Sequence, residues 1–280
     1  MRVLISTVTC LVVALSVVAE PLRYRFEPGT ETTYVAKLKG EGELLMGEKS
    51  PVAAEGQVEF KQRCEAADGD GLRMQLKLPS ATVDMKLLGT ENAVPLREAD
   101  VQYRLDPRGR LSALEGIQQI SLMGVGGPLD VGALLLAVVA TEFPEGDLTP
   151  GATWESRLTL TAGTVSVPVV RRYRLAAAGE PAPPAGAAGI HGEWQMDLTN
   201  LLAPDMGMEF TGTQTCNVEA AHDLKTGRLL SAKGQVELKV EARLPQTGKA
   251  KTAQGEVAPP PDLALTLKMG FEILPKPEKE

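Results

Sequence analysis

The sequence is poor in the residues that carry most enzyme chemistry. Its 280 residues include two histidines, three cysteines and 4 % aromatics. His191 and His222 have no partner histidine at i+2 or i+4, so neither starts a metal-ligand pair, and both read as surface side chains. There is no Cys-x-x-Cys spacing, which argues against a dithiol redox enzyme. Gly-x-Ser-x-Gly and Ser-x-x-Lys are also missing, leaving no visible nucleophile for acyl transfer. Gly124-Val-Gly-Gly127 lacks a third glycine and a following Gly-Lys-Ser/Thr, so it is not a phosphate cradle. Asp68-Gly-Asp-Gly71 lacks the glutamate a calcium loop needs at its twelfth position, and reads as a hairpin turn. Only Trp154 and Trp194 could stack on a sugar, and both fall on apolar strand faces. Most carboxylates lie beside Lys or Arg on wet faces, so no glycosidase pair stands out. A basic face is missing too: 29 Lys and Arg against 36 Asp and Glu give −7, which argues against nucleic acid. No catalytic, metal-binding or cofactor-binding residue is assigned, and no cofactor is expected.

What is present is 43 % hydrophobic residues against 23 % charged, enough for a sizeable core built from Val, Leu, Ala and Met. Residues 1–19 form a basic start and an apolar run ending Ser16-Val-Val-Ala19, which reads as a signal peptide cut after Ala19. An uncleaved membrane anchor is the alternative. Cleavage would remove Arg2 and Cys10, leaving 28 basic against 36 acidic residues, or −8, in an exported chain, periplasmic or extracellular and soluble. No later run is long and apolar enough to span a membrane.

Alternation dominates the remainder. Val236, Leu238, Val240 and Ala242 alternate with Glu237, Lys239 and Glu241; Leu263, Leu265, Leu267, Met269, Phe271 and Ile273 repeat the pattern, as do Leu72, Met74, Leu76 and Leu78. Such runs are strands with one dry and one wet face, and ten to twelve of them make an antiparallel sheet. Leu129–Phe143 breaks the rule. It is apolar nearly all round and bounded by Pro128 and Pro144, which predicts a buried helix within 128–144, with a buried strand pair as the alternative. It divides the chain into a first β half, 20–127, and a second, 145–280. The Pro/Ala/Gly-rich stretches 176–189 and 246–262 read as flexible loops.

Short matches link the halves. Glu27-Pro-Gly-Thr30 resembles Thr149-Pro-Gly-Ala152, Asp106–Leu111 resembles Asp223–Leu229, and Val58-Glu-Phe60 before Cys64 resembles Met208-Glu-Phe210 before Cys216. Duplication and convergent hairpin chemistry both account for them. Cys64 and Cys216 each share a face with apolar neighbours. In an oxidising compartment they are a candidate disulfide; otherwise they are two small buried side chains.

The layout resembles the periplasmic lipoprotein-carrier superfamily and similar uncharacterised secreted bacterial proteins. The resemblance is carried by Phe26-Glu-Pro-Gly29, the run Leu129–Phe143, and Phe143-Pro144 through Pro150-Gly-Ala-Thr-Trp154. It implies a mainly β fold, a curved antiparallel sheet or half-barrel wrapped around one apolar helix, whose concavity accommodates acyl chains in the carriers. Together with the absences above, this favours an exported, non-enzymatic protein binding a lipid, a lipidated protein or an apolar peptide. The candidate lining is Leu134, Leu135, Val138, Val139, Leu76 and Leu238, which would be plain core if the sheet closes tightly. A cell-envelope structural or interaction module, using sheet edges and Pro-rich loops, is the alternative; an envelope hydrolase is third.

Overall fold

A computed structural model describes residues 21–69, 71–87, 89–96, 98–116, 132–146, 149–162, 165–177, 179–198, 209–243 and 263–277. The expected leader, residues 117–131 and the loop 246–262 lie outside these residues. Thirteen strands form one sheet: β1 (Glu31–Met46), β2 (Glu48–Asp68), β3 (Gly71–Leu78), β4 (Ala81–Leu87), β5 (Thr90–Leu96), β6 (Ala99–Leu105), β7 (Leu111–Glu115), β8 (Thr153–Ala162), β9 (Val165–Leu175), β10 (Ala187–Asp197), β11 (Glu209–Asp223), β12 (Leu229–Arg243) and β13 (Leu263–Pro275). The main path runs β7-β6-β3-β2-β1-β13-β12-β11-β10-β9-β8, with the β4–β5 hairpin branching from β2.

Strict alternation explains the wall. On β1, Tyr34, Ala36, Leu38 and Leu44 are buried while Glu31, Lys37, Lys39 and Glu43 face water. The register sets like against like across the ladder, pairing Leu38 with Phe271 and Ala36 with Val58. A one-residue slip would turn every apolar side chain outward, so the burial pattern fixes the register. The wet face carries cross-strand ion pairs such as Lys61–Glu31 at 2.7 Å and Lys233–Glu219 at 2.9 Å. Exposed pairs of this kind contribute at most about 1 kcal/mol each.

The sheet curls until its edges, β7 and β8, approach one another, giving a nearly closed barrel. All ten neighbouring pairs along the path are antiparallel. Eleven strands so paired leave β7 and β8 running in the same direction, and no ladder joins them among the described residues. The helix ends earlier than expected. Here α1 covers Gly132–Val139, and Ala140–Phe143 continue in non-helical backbone whose polar groups bond to other elements.

Candidate functional site

The barrel has two unlike ends. The base carries the β6–β7 and β11–β12 turns; the rim carries the β1–β2 tip and the start of β13.

Two turns with the same signature build the base. The Asp106 carboxylate accepts from the Arg108 and Arg110 N–H groups, and the Asp223 carboxylate from those of Lys225 and Thr226. These contacts lower the Asp223 pKa against the opposing effect of burial. Gly109 (φ 86°) and Gly227 (φ 74°) occupy the left-handed region that glycine tolerates. A Cβ on Gly109 would also run into the Thr141 carbonyl, and one on Gly227 would lie 2.7 Å from the Arg23 carbonyl. Both turns grip the chain entering β1: Tyr24 N–H donates to Pro107 O at 2.8 Å and Arg25 N–H to Thr226 O at 2.9 Å.

The segment after α1 seals this end. Tyr24 Oη donates to Val139 O, Phe143 N–H to Arg108 O, and the Phe143 ring stacks on Tyr24 at 4.7 Å. His222 is fully buried, with Nδ1 3.0 Å from Gly227 O and Nε2 3.1 Å from Thr141 Oγ1. Burial lowers its pKa to about 4. The expectation that His222 lies on the surface is therefore wrong: the adjacent turn and Thr141 draw it inward. His191 remains partly exposed, 3.3 Å from Glu180.

Glu142 joins the two edges of the sheet. Its carboxylate lies 3.7 Å from Arg171 on β9, and 3.9 and 3.5 Å from Arg108 and Arg110 in the β6–β7 turn. Its carbonyl accepts from Trp154 Nε1 on β8 at 2.6 Å. Arg171 is 1 % exposed and also donates to Ala140 O and Ser156 Oγ. A buried arginine needs this number of acceptors, because a charge taken out of water is costly unless paired. Composition gives no hint of this cluster. The pairing brings together residues distant in sequence, and an isolated carboxylate in an apolar run is the only local sign.

At the rim the packing loosens. Phe271 and Ile273 are buried, but Leu263, Leu265, Leu267 and Met269, on the same face of β13, stay partly exposed while touching the core. Met46, opposite Leu263, is 56 % exposed.

Of the candidate lining residues, Leu76, Leu135, Val138, Val139 and Leu238 meet in one buried apolar cluster; the Leu134 side chain lies outside the described residues. The disulfide does not form. Cys64 and Cys216 are free and buried, because β1, β13 and β12 intervene between their strands. At about 4.8 Å per strand spacing, that order holds them far beyond bonding reach along the wall. Burial raises both thiol pKa values. The 176–189 stretch carries fixed contacts and the start of β10. Glu180 is held by Arg174 at 2.8 Å and by the Ala177 N–H, contacts that lower its pKa to about 2, and the strand resumes at Ala187. Among the described residues no group of three or more His, Cys, Asp or Glu converges as metal ligands.

No protein-family profile matches the chain, and no curated protein matches it. Among solved structures it is similar to a lipovitellin described for its lipid–protein interactions, with 12 % identity and a TM-score of 0.44. The match covers 91 % of this chain and 26 % of that one, so the chain spans about a quarter of lipovitellin's length.

Proposed function

We propose that the protein binds a hydrophobic ligand, with an acyl chain as the chemical class, along the inward face at the rim. The observation that supports this most is the change of burial along β13: Phe271 and Ile273 are sealed, whereas Leu263 to Met269 line the same face partly open. Apolar side chains left half wet cost hydrophobic free energy, at about 25 cal/mol per Å² of exposed surface, that a bound apolar ligand recovers. Residues 263–269 extend the strip over about 20 Å at the rise of a strand. That length exceeds the roughly 15 Å hydrocarbon depth of one membrane leaflet, so an extended lipid chain fits along it. The apolar helix α1 forms the floor of this space in our reading, and the chain acts after export, as a binding protein and not an enzyme. No helix among the described residues is long and apolar enough to cross a membrane.

Native mass spectrometry of the full chain purified from cells tests the proposal. Lipid adducts lost on collisional activation are the expected result. A spectrum of bare protein alone, unchanged after incubation with phospholipid vesicles, contradicts it.

A further inference from the structure

The seam between β7 and β8 has properties unlike the rest of the wall. Eleven strands joined only by antiparallel pairs place two parallel edges side by side, and the described residues show no ladder between them. A single added strand, antiparallel to both, would complete a twelve-stranded barrel without an exception to its pairing rule. We propose that this seam is an acceptor for one extended segment of a partner polypeptide, with apolar side chains at alternate positions.

Three observations carry the proposal besides the strand parity. First, β8 is ten residues long and among the described residues pairs only with β9, so its outer backbone edge is the kind of template that recruits strands. Secondly, β7 is the weakest part of the wall. It meets β6 at three register positions with a shift between them, none of its five side chains is fully buried, and Ala113 has φ 47°. Ala113 is the one non-glycine residue with positive φ among those described. A strand held so loosely yields at small cost. Thirdly, a cleft of about 260 Å³ already lies between Leu111–Leu114 and Arg157–Thr159. Below it Glu142 ties both edges, so the seam can widen from above while the base stays fastened. The alternation follows from β8, where buried Ser156 and Leu158 interleave with exposed Glu155, Arg157 and Thr159.

The test is hydrogen exchange of the full chain with a synthetic alternating Thr-Val hexapeptide flanked by lysines. A copy with a central proline, which cannot complete the ladder, is the control. The expected result is a tenfold or greater slowing of exchange in Thr153–Ala162 with the first peptide and none with the second. Bridging Ser112→Cys to Thr159→Cys with a bismaleimide on the folded protein should abolish that protection; both positions are exposed, whereas Cys64 and Cys216 are buried. No protection at millimolar peptide, or protection unaffected by the bridge, overturns the proposal. Protection that rises with protein concentration and needs no peptide also overturns it, in favour of a second copy of this chain.

Discussion

The base and the rim of the barrel are made from the same strands, yet they solve opposite problems. At the base, two turns, the entering chain and the segment after α1 converge in a network of polar contacts, although Arg171 Nε, Tyr173 Oη and Arg228 Nε are buried there without a hydrogen-bond partner. At the rim, Leu263, Leu265, Leu267 and Met269 stay partly exposed beside buried Leu44, Val52 and Val240, with no comparable polar network among the described residues. One end is therefore specified by polar contacts over a sealed core, and the other keeps apolar side chains partly exposed, which is where we propose the ligand binds. Stability is concentrated where the chain is fastened, and binding is assigned where it is not.

Breaking the clasp should have the largest effect. Glu142→Ala leaves Arg171 buried beside Arg108 and Arg110 without its carboxylate, and should cost about 3–5 kcal/mol in urea unfolding. The next largest separates the two ends directly. Leu76, 0 % exposed near the base, should lose about 2–5 kcal/mol on change to Ala, measured in the same way. Acidification acts on the base through His222. His222 titrates near pH 4 when folded and near 6.5 when unfolded, so the unfolded chain binds the extra proton between those values. Stability should therefore fall by about 3 kcal/mol as pH drops from 7 to 4, and His222→Gln should flatten that part of the profile. The smallest effect belongs to the rim: Leu265→Ala should change stability by less than about 1 kcal/mol, because the side chain is only partly buried. Equal costs for Leu76→Ala and Leu265→Ala would erase the distinction between the ends.

Much of the wall was legible because a period of two is a local property. The alternation at Leu72–Leu78 appears in β3, and in β13 it appears from Phe271 to Ile273, whereas Leu263 to Leu267 are partly exposed on both faces. The turns also appear as read. Thr30 N–H bonds to Glu27 O and Ala152 N–H to Thr149 O, both at 3.0 Å, and Gly29 and Gly151 bond in turn to the Cys64 and Leu175 carbonyls. In the third match, between Val58-Glu-Phe60 and Met208-Glu-Phe210, Met208 lies outside the described residues. The misses were non-local. A proline boundary marks where a helix must have ended, but not that backbone bonds to Tyr24 and Arg171 end α1 at Val139. Burial of His222 depends on Thr141, 81 residues away in sequence. The separation of Cys64 from Cys216 depends on strand order, which a face assignment does not contain. Of the proposed lining, sequence could pick apolar inward positions but not distinguish the sealed Leu76 from the half-open Leu265 and Leu267.

The most direct test of the account is a titration with a fluorescent long-chain fatty acid, comparing the natural chain with Leu265→Asp and Leu76→Val. Saturable binding at one site, weakened at least tenfold by Leu265→Asp and unchanged by Leu76→Val, is the predicted result. Absence of saturable binding, or equal binding by the natural chain and Leu265→Asp, would contradict it.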